Sequence, residues 1–236
     1  MTDINYKIYV EWKKWDSIFF YDKYDALNFS GEFYSIKLGG ARVFEIGFGN
    51  GSFFSWAVDQ GAIISGCELI EELAEVGANK GFDTRYGIAQ QVVNVAEESF
   101  DLVVALDVFE HLPLNDLKAL LKFIASVLTK DGQILARFPN GQSPFGLAWQ
   151  HGDKTHCSTI SGGILSQICA ECDLVVYAYR NAHRPIRSGY SGLKDRVQFF
   201  IRDMIELLIC KIYGFGRLPM DPNTVAIIRR KPLISE

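Results

Sequence analysis

A glycine-rich turn near residue 50 contains the residue types most suited to ligand chemistry. Gly47, Gly49 and Gly51 follow an apolar run (41–46) and precede a helical pattern that starts at Ser52. Glycine tolerates positive φ angles and lets the backbone approach a ligand closely. The pattern therefore predicts a ligand site where the first strand of a parallel sheet ends.

Two acidic residues indicate which ligand this turn would bind. Glu45 stands two residues before Gly47, where a carboxylate would repel a pyrophosphate but attract an ammonium group. Dinucleotide sites use G-x-G-x-x-G/A, whereas here Ser52 stands at the third glycine position. S-adenosylmethionine carries an ammonium and a sulfonium cation, so Glu45 favours it over a nicotinamide cofactor. Glu68, 21 residues after Gly47, is predicted to accept hydrogen bonds from ribose hydroxyls.

The elements that must position these residues alternate between apolar strands and helical patterns. Helices are predicted at 113–132 and 161–172, among others, and strands at 41–46, 62–68, 82–87, 100–107, 133–139, 173–180 and 223–231. This alternation predicts an α/β fold: a doubly wound, mostly parallel seven-stranded sheet with helices on both faces.

The sequence is interpreted as four regions. They are an aromatic-rich N-terminal cap (1–40), a core (41–181), a basic amphipathic insertion (182–222) and a last strand with the tail (223–236). Residues 182–217 hold seven basic and three acidic residues, a net charge of +4, which leaves −8 for the rest of the chain. The helix of the insertion is expected to pack in the ordinary way, on the sheet or on a dimer partner. Contact with a membrane surface through 193–213 and contact with an anionic acceptor or another partner are the alternatives.

Composition excludes several classes of protein. The 236 residues include 24 Lys and Arg against 28 Asp and Glu, a net charge of −4, and 48% are hydrophobic. This balance indicates a folded protein and argues against nucleic acid as a partner. Five cysteines with a single C-x-x-C pair indicate reduced thiols and no zinc site, and no metal is expected. The sequence shows no secretory signal and no membrane-spanning run, which predicts a cytoplasmic protein, at most at the inner face of the membrane.

Three segments resemble motifs of class I S-adenosylmethionine-dependent methyltransferases: VFEIGFGNGSF (43–53), SFDLVVALDVFEHLP (99–113) and DGQILARFPN (131–140). The resemblance covers 41–180 and the last strand. It implies a Rossmann-like fold, S-adenosylmethionine as the cofactor and S-adenosylhomocysteine as the product. The cofactor-binding residues that it implies are Glu45, Gly47, Phe48, Gly49, Gly51, Glu68, Leu69, Gly87, Ile88, Asp107, Val108 and His111. Many relatives carry an acidic residue at the position of Ile88, so adenine is expected to bind here through apolar packing and backbone hydrogen bonds.

The loop after the fifth predicted strand (137–158) contains the candidate acceptor-side residues. Methyl transfer to a hydroxyl is an in-line displacement that gains from a general base. His156 is the predicted base, Asp153 is predicted to orient it or to contact the acceptor, and His151 is a further candidate. A capped turn, with Asp153 satisfying backbone donors, is the alternative.

The G-D-x-T-H run (152–156) resembles methyltransferases of bacterial O-antigen and capsule biosynthesis. That resemblance implies a hydroxyl or phosphate of a surface glycan as the methyl acceptor. Two alternatives stay open: an enzyme that methylates a small metabolite or natural product, and a non-catalytic regulator that binds S-adenosylmethionine.

Overall fold

The computed structural model describes residue 15 and residues 17–232. The strands are β1 (Arg42–Ile46), β2 (Ile63–Glu68), β3 (Asp83–Tyr86), β4 (Phe100–Leu106), β5 (Leu128–Pro139), β6 (Leu174–Asn181) and β7 (Asn223–Arg230). The helices are α1 (Lys23–Glu32), α2 (Ser52–Asp59), α3 (Glu71–Asn79), α4 (Ala89–Val92), α5 (Leu114–Val127), α6 (Leu147–Gln150), α7 (Gly162–Ala170) and α8 (Gly189–Ile212), and a 3₁₀ turn covers Phe109–His111.

The seven strands form one sheet in the order β3-β2-β1-β4-β5-β7-β6. The ladders from β3 through β5 are parallel, and β7 is antiparallel to both of its neighbours. The predicted fold class is confirmed. The chain reverses its winding direction between β1 and β4, and ligands of doubly wound sheets bind in the crevice at that point.

The core lies on both faces of the sheet because the central strands are apolar on both sides. Adjacent strand residues point to opposite faces. Val43 packs with α2 and α3 on one face, and Phe44 packs with α5 and α7 on the other. Burial on both faces explains why β1 and β4 are continuous apolar runs rather than alternating ones.

The boundary between α5 and β5 differs from the prediction. The helix predicted over 113–132 ends at Val127, and the strand predicted to begin at 133 begins at Leu128. Leu128 pairs with Phe100 of β4, and the hydroxyl of Thr129 donates to Asp101 at 3.0 Å. Pairing with β4 therefore overrides the local helical pattern in this segment.

The described part of the N-terminal cap packs on α2. Asp22 caps α1 by accepting hydrogen bonds from the backbone of Tyr24 and Asp25. Phe33 stacks on Phe53 with ring centroids 4.7 Å apart, and other aromatic rings of the cap pack nearby. The aromatic residues of the cap that lie in 1–14 fall outside the described residues.

The insertion contains the long helix α8, which ion pairs connect to the segments of the insertion that precede and follow it. Arg184 bonds Asp203 at 2.6 Å and also bonds Asp221, which in turn accepts from Arg202 at 2.6 Å. The apolar side chains of α8 do not pack on the sheet, so that half of the expectation is wrong, and packing on a dimer partner stays a prediction. The exposed apolar side chains are Leu193, Val197, Phe200, Ile201, Met204, Ile205, Leu208 and Ile212. Among the described residues, no helix combines the length and apolarity needed to cross a membrane.

Candidate functional site

The glycine-rich turn joins β1 to α2 at the crevice of the sheet. Gly47, Gly49 and Gly51 have φ angles of +65°, +53° and +70°, the left-handed region that favours glycine. A Cβ atom at Gly47 would lie 2.9 Å from the Val108 side chain, and one at Gly51 would lie 2.5 Å from the Phe19 ring. The turn therefore needs glycine both for its backbone angles and for its close neighbours.

Glu45 places a carboxyl group beneath this turn. The residue is 2% exposed, and its Oε2 accepts no hydrogen bond from the described residues. Burial raises the pKa of Glu45 well above its usual value, repulsion by Glu68 raises it further, and Arg137 opposes the shift. A cation bound beside Glu45 would favour its ionised form, which is the property that the sequence predicted for a site that binds an ammonium group.

Glu68 connects the end of β2 to the glycine-rich turn. Its Oε2 accepts the backbone N–H of Gly49 at 3.0 Å, and its Oε1 accepts those of Leu69 and Ile70 at 2.7 and 3.2 Å. Burial raises the pKa of Glu68, although these backbone donors oppose the shift. A carboxylate offers about four acceptor positions. One is used by Gly49 of the turn and two by the residues that follow Glu68, so Oε2 keeps one for a ligand hydroxyl.

The other residues predicted to bind the cofactor include a buried side chain, two exposed apolar side chains and one backbone position. Phe48 is 4% exposed and packs against Phe19 and Phe54, so its side chain belongs to the core. Leu69 and Ile88 are exposed apolar residues where β2 and β3 end. Gly87 has a φ angle of +131° and donates its N–H to the carbonyl of Glu68 at 2.9 Å. The backbone at Gly87 and the side chains of Leu69 and Ile88 thus lie near Glu68, as an adenosine site would require.

Asp107 and Arg137 form the other side of the crevice, where β4 and β5 end. Asp107 has a φ angle of +58°, and its Oδ2 accepts a bond from Arg137 Nη2 at 2.6 Å. Arg137 also contacts Glu32 of α1 at 3.3 Å. Glu32 is 1% exposed, and burial raises its pKa while Arg137 opposes the shift. Arg137, which the sequence places in the acceptor loop, is therefore paired with two carboxyl groups and joins α1 to the crevice.

The pairing of Arg137 with the buried Glu32 predicts how a change at Arg137 alters the stability of the protein. Replacing Arg137 by Met removes the cation beside the buried Glu32, and we expect the free energy of unfolding to fall by about 3 kcal/mol at neutral pH. Because protonation of Glu32 removes the unpaired charge, the deficit should shrink as the pH falls.

Urea unfolding at several pH values measures this loss. Lys118→Met is the matched control, since Lys118 pairs with Glu171 on the exposed surface and should cost less than about 1 kcal/mol. Equal losses in the two variants would show that Arg137 does not hold a buried charge.

A cluster of acidic and imidazole groups lies beside Asp107. Glu110 and His111 come from the 3₁₀ turn after β4, whereas Asp153 and His156 come from the loop after β5. The carbonyl of Glu110 accepts the backbone N–H groups of Cys157 and Ser158, which joins the two loops. The His111 and His156 rings are 4.7 Å apart in an edge-to-face arrangement. The prediction that Asp153 and His156 act together is therefore compatible with the geometry, and Glu110 and His111 join them.

Hydrogen bonds orient both imidazole rings. His156 Nδ1 is 3.1 Å from the carbonyl oxygen of Gln150, and because a carbonyl only accepts, Nδ1 carries the proton. Thr155 donates its hydroxyl to Asp153 Oδ1 at 2.6 Å and lies 2.9 Å from His111 Nδ1. The hydroxyl proton is engaged by the carboxylate, so His111 Nδ1 is the donor to Thr155. In the neutral form of each ring, Nε2 then carries the lone pair.

His151 stands apart from this cluster. Its side chain is exposed at the end of α6, and its predicted catalytic role stays a prediction. Sequence reasoning did not identify Glu110, Thr155 or Gln150 as functional. Glu110 directly precedes His111, and Thr155 directly precedes His156. Their position next to the histidines is the feature of the sequence that could have identified these two residues.

Comparison with known proteins identifies the part of the chain that contains this crevice. Residues 44–136 match a family model described as a methyltransferase domain. The match covers less than half of the chain. It extends from Phe44 within β1 to Ala136 within β5, and so includes the glycine-rich turn, Glu68, Asp107 and His111.

Curated relatives match this chain over part of their length. A protein of Xanthomonas euvesicatoria pv. vesicatoria named ubiquinone biosynthesis O-methyltransferase is 31% identical over 106 residues, 42% of this chain and 43% of the relative. A protein of the same name from Coxiella burnetii is 25% identical over 104 residues, 42% of this chain and 44% of the relative. The chain thus matches less than half the length of these curated relatives.

Solved structures share the fold over nearly the whole chain. A SAM-dependent methyltransferase from Archaeoglobus fulgidus superposes with a TM-score of 0.63 at 19% identity, covering 97% of this chain and 100% of that one. The magnesium protoporphyrin IX methyltransferase from Synechocystis PCC 6803, solved with bound SAH, gives a TM-score of 0.59 at 13% identity, covering 96% of each chain. At this identity the similarity shows the fold alone.

Proposed function

We propose that the protein is an S-adenosylmethionine-dependent O-methyltransferase with a small-molecule acceptor. The observation that carries the proposal is the three-glycine turn with the buried Glu45 beneath it, inside the segment that matches a methyltransferase domain. The cofactor that the sequence predicted is supported by the family match.

The residues of the crevice fit this cofactor. The three glycines add no side chain of their own to the turn. Glu45 provides a buried carboxyl group for an ammonium, and Oε2 of Glu68 keeps an acceptor position for a ribose hydroxyl. Leu69 and Ile88 provide apolar surface for adenine. When bound, S-adenosylmethionine supplies an electrophilic methyl group on a sulfonium sulfur.

The cluster at the loops after β4 and β5 is the proposed place of acceptor activation. His111 follows Asp107 and Val108, which the family resemblance places near the sulfonium, and Asp153 and His156 lie beside it. These groups could take a proton from an acceptor hydroxyl, which is what O-methylation needs near neutral pH. The sequence-based choice of His156 as the base stays a prediction.

The proposal that the acceptor is a small molecule is based on the names of the matching relatives. Two that match are named ubiquinone biosynthesis O-methyltransferases, which favours the small-metabolite alternative over the surface glycan that the sequence predicted. No comparison supports the O-antigen or capsule resemblance. Membrane contact through 193–213 and a homodimer also stay predictions; their support is the exposed apolar surface of α8.

Calorimetric titration with S-adenosylmethionine, and with NADH as the comparison, tests which of the two molecules the protein binds. We expect binding of S-adenosylmethionine alone. Release of S-adenosylhomocysteine is then measured with small phenols and catechols and, separately, with sugar and glycan acceptors. Turnover on the first group supports the proposal, and turnover on glycans alone would restore the glycan assignment. Cofactor binding without turnover on either group would support the regulator alternative.

Cofactor affinity should depend on pH through Glu45. The raised pKa means that Glu45 takes up a proton readily in the free protein, whereas a bound ammonium favours the carboxylate. Binding then releases a proton, so affinity should weaken as the pH falls through the raised pKa, by up to about tenfold per pH unit. Glu68 raises the pKa of Glu45 further, and Arg137 lowers it.

Calorimetry across a pH series measures this dependence, and Glu45→Gln supplies the comparison. The variant cannot ionise at residue 45, so it should bind more weakly at neutral pH and with a flatter pH profile. Parallel profiles for the two proteins would show that Glu45 does not exchange a proton on binding.

A further inference from the structure

One face of α8 is apolar from the first turn of the helix to the last and is exposed to solvent. Residues three, four or seven positions apart share a face of a helix, and the exposed apolar residues of α8 follow this spacing. A contiguous exposed apolar surface larger than a few isolated side chains usually marks a contact with a protein or a membrane. The residues that form this apolar face are Tyr190, Leu193, Val197, Phe200, Ile201, Met204, Ile205, Leu207, Leu208 and Ile212.

The three acidic residues of α8 lie away from the apolar face and are bound by arginine side chains. Asp195 accepts a bond from Arg187 at 2.6 Å. Asp203 accepts one from Arg184 at 2.6 Å, and Glu206 lies 3.8 Å from the same guanidinium group. With 3.6 residues per turn, the three acidic positions lie about 120–180° around the helix from the middle of the apolar face. The apolar face therefore contains no acidic residue of α8.

Basic residues, in contrast, lie on the apolar face and at its edge. The helical spacing places Lys194 and Lys211 among the apolar residues and Arg196 at the edge, and all three are exposed. Within the part of the chain that the structure describes, none of the three forms an ion pair with a carboxylate. Lys194 Nζ lies 4.8 Å from the centre of the Tyr190 ring. The charge that accompanies the apolar face is thus entirely positive.

This distribution of charge favours an anionic membrane over a second copy of the chain. In a symmetric dimer the same patch of both copies meets itself, so the cations of one apolar face would meet those of the other. A membrane that contains anionic lipids attracts such cations, and its acyl chains accept the apolar side chains. Lys194 and Lys211 can extend their ammonium groups to the headgroups while their methylene stems follow the apolar surface.

We infer that α8 lies in the plane of an anionic membrane surface, with its apolar face toward the acyl chains and with Lys194, Arg196 and Lys211 at the lipid phosphates. The helix has 24 residues and is about 36 Å long, which allows every turn to reach the surface. Glu206 accepts a bond from Asn181, where β6 ends at the same edge of the sheet as the crevice. Docking through α8 therefore holds that edge close to the bilayer. The inference does not depend on the proposed function.

Sedimentation of the full chain with lipid vesicles tests the inference. One set of vesicles is phosphatidylcholine alone, and the other is phosphatidylcholine mixed with phosphatidylglycerol. We expect binding to the mixed vesicles that is at least about tenfold tighter than binding to phosphatidylcholine, because each Lys or Arg near an anionic surface adds attraction. Raising the salt concentration should weaken the binding, since salt screens exposed charges.

Variants of α8 identify the surface that binds. Lys194→Gln/Lys211→Gln removes two cations and should weaken binding to the mixed vesicles about 30-fold. Phe200→Ser removes an exposed apolar side chain and should weaken it at least about tenfold. Lys80→Gln/Lys122→Gln is the matched control, because it changes the net charge equally through exposed lysines outside α8. Binding by the control should stay within about twofold of wild type.

Urea unfolding separates loss of docking from loss of the fold, since the substituted side chains of α8 are exposed and their replacement should leave stability unchanged. Absence of binding to the mixed vesicles would overturn the inference, and so would equal weakening in the control variant. Sedimentation equilibrium without vesicles examines the other occupant. A dimer that Phe200→Ser dissociates, in a protein that binds no vesicles, would assign the apolar face to a second copy of the chain.

Discussion

His111→Gln is expected to lower methyl-transfer turnover by about 10²–10⁴-fold, the usual contribution of acid–base catalysis, while S-adenosylmethionine binds with wild-type affinity. The reason is the orientation of the ring: Nδ1 is bonded to Thr155, which is bonded to Asp153, so Nε2 carries the lone pair. The loss is expected because Nε2 is then free of a proton and can take the one from the acceptor hydroxyl.

The family resemblance gives His111 a different role, that of closing the cofactor pocket. Steady-state kinetics with saturating cofactor, together with calorimetric affinity, separates the two roles. If His111→Gln loses cofactor affinity but keeps its turnover at saturation, the pocket-closing role is correct. His183→Gln is the control for turnover, since His183 lies against Gly31 of α1, away from the cluster.

Gly47→Ala is expected to weaken S-adenosylmethionine binding by at least about tenfold, equivalent to about 1.4 kcal/mol. Two effects combine at this position. An alanine in the left-handed region costs about 1–2 kcal/mol, and its Cβ would lie 2.9 Å from the Val108 side chain. The turn and the loop after β4 would have to separate, and both contribute predicted cofactor-binding residues.

Gly214→Ala is the matched control for this variant. Gly214 has a φ angle of +68°, close to the +65° of Gly47, but a Cβ there would have no atom within 4 Å. Urea unfolding should show the backbone cost in both variants, whereas calorimetry should show weaker cofactor binding in Gly47→Ala alone. Unchanged cofactor affinity in Gly47→Ala would mean that the turn does not hold the cofactor.

Local sequence patterns predicted most of the strands and the place of the crevice. The apolar runs became β1, β2, β4 and β6 with boundaries shifted by at most one residue. Burial on both faces of the sheet demands the continuous apolar sequence of β1, β2 and β4, whereas β6 is a half-buried strand at the edge of the sheet. The segment 128–132 was assigned to the wrong element, since its extended conformation depends on pairing with β4.

The acceptor-side cluster was only partly predictable. His156 and Asp153 were chosen from one loop, but Glu110 and His111 belong to a different loop, about 45 residues earlier in the sequence. What joins them is the pair of backbone hydrogen bonds from Cys157 and Ser158 to the carbonyl of Glu110. Contacts between distant segments carry no local periodicity or spacing, so the sequence alone did not reveal them.

The sequence by itself determined the alternating order of elements and the three glycines with Glu45 and Glu68 at the ends of β1 and β2. These follow from local rules: residue type sets the allowed φ angle, and hydrophobic periodicity sets which strand is buried. The tertiary structure decided the charge state that Glu45 prefers, the pairing of Arg137 with Asp107 and Glu32, and the exposure of the apolar side chains of α8. These depend on desolvation and on neighbours brought together from different parts of the chain, which exist only in the folded protein.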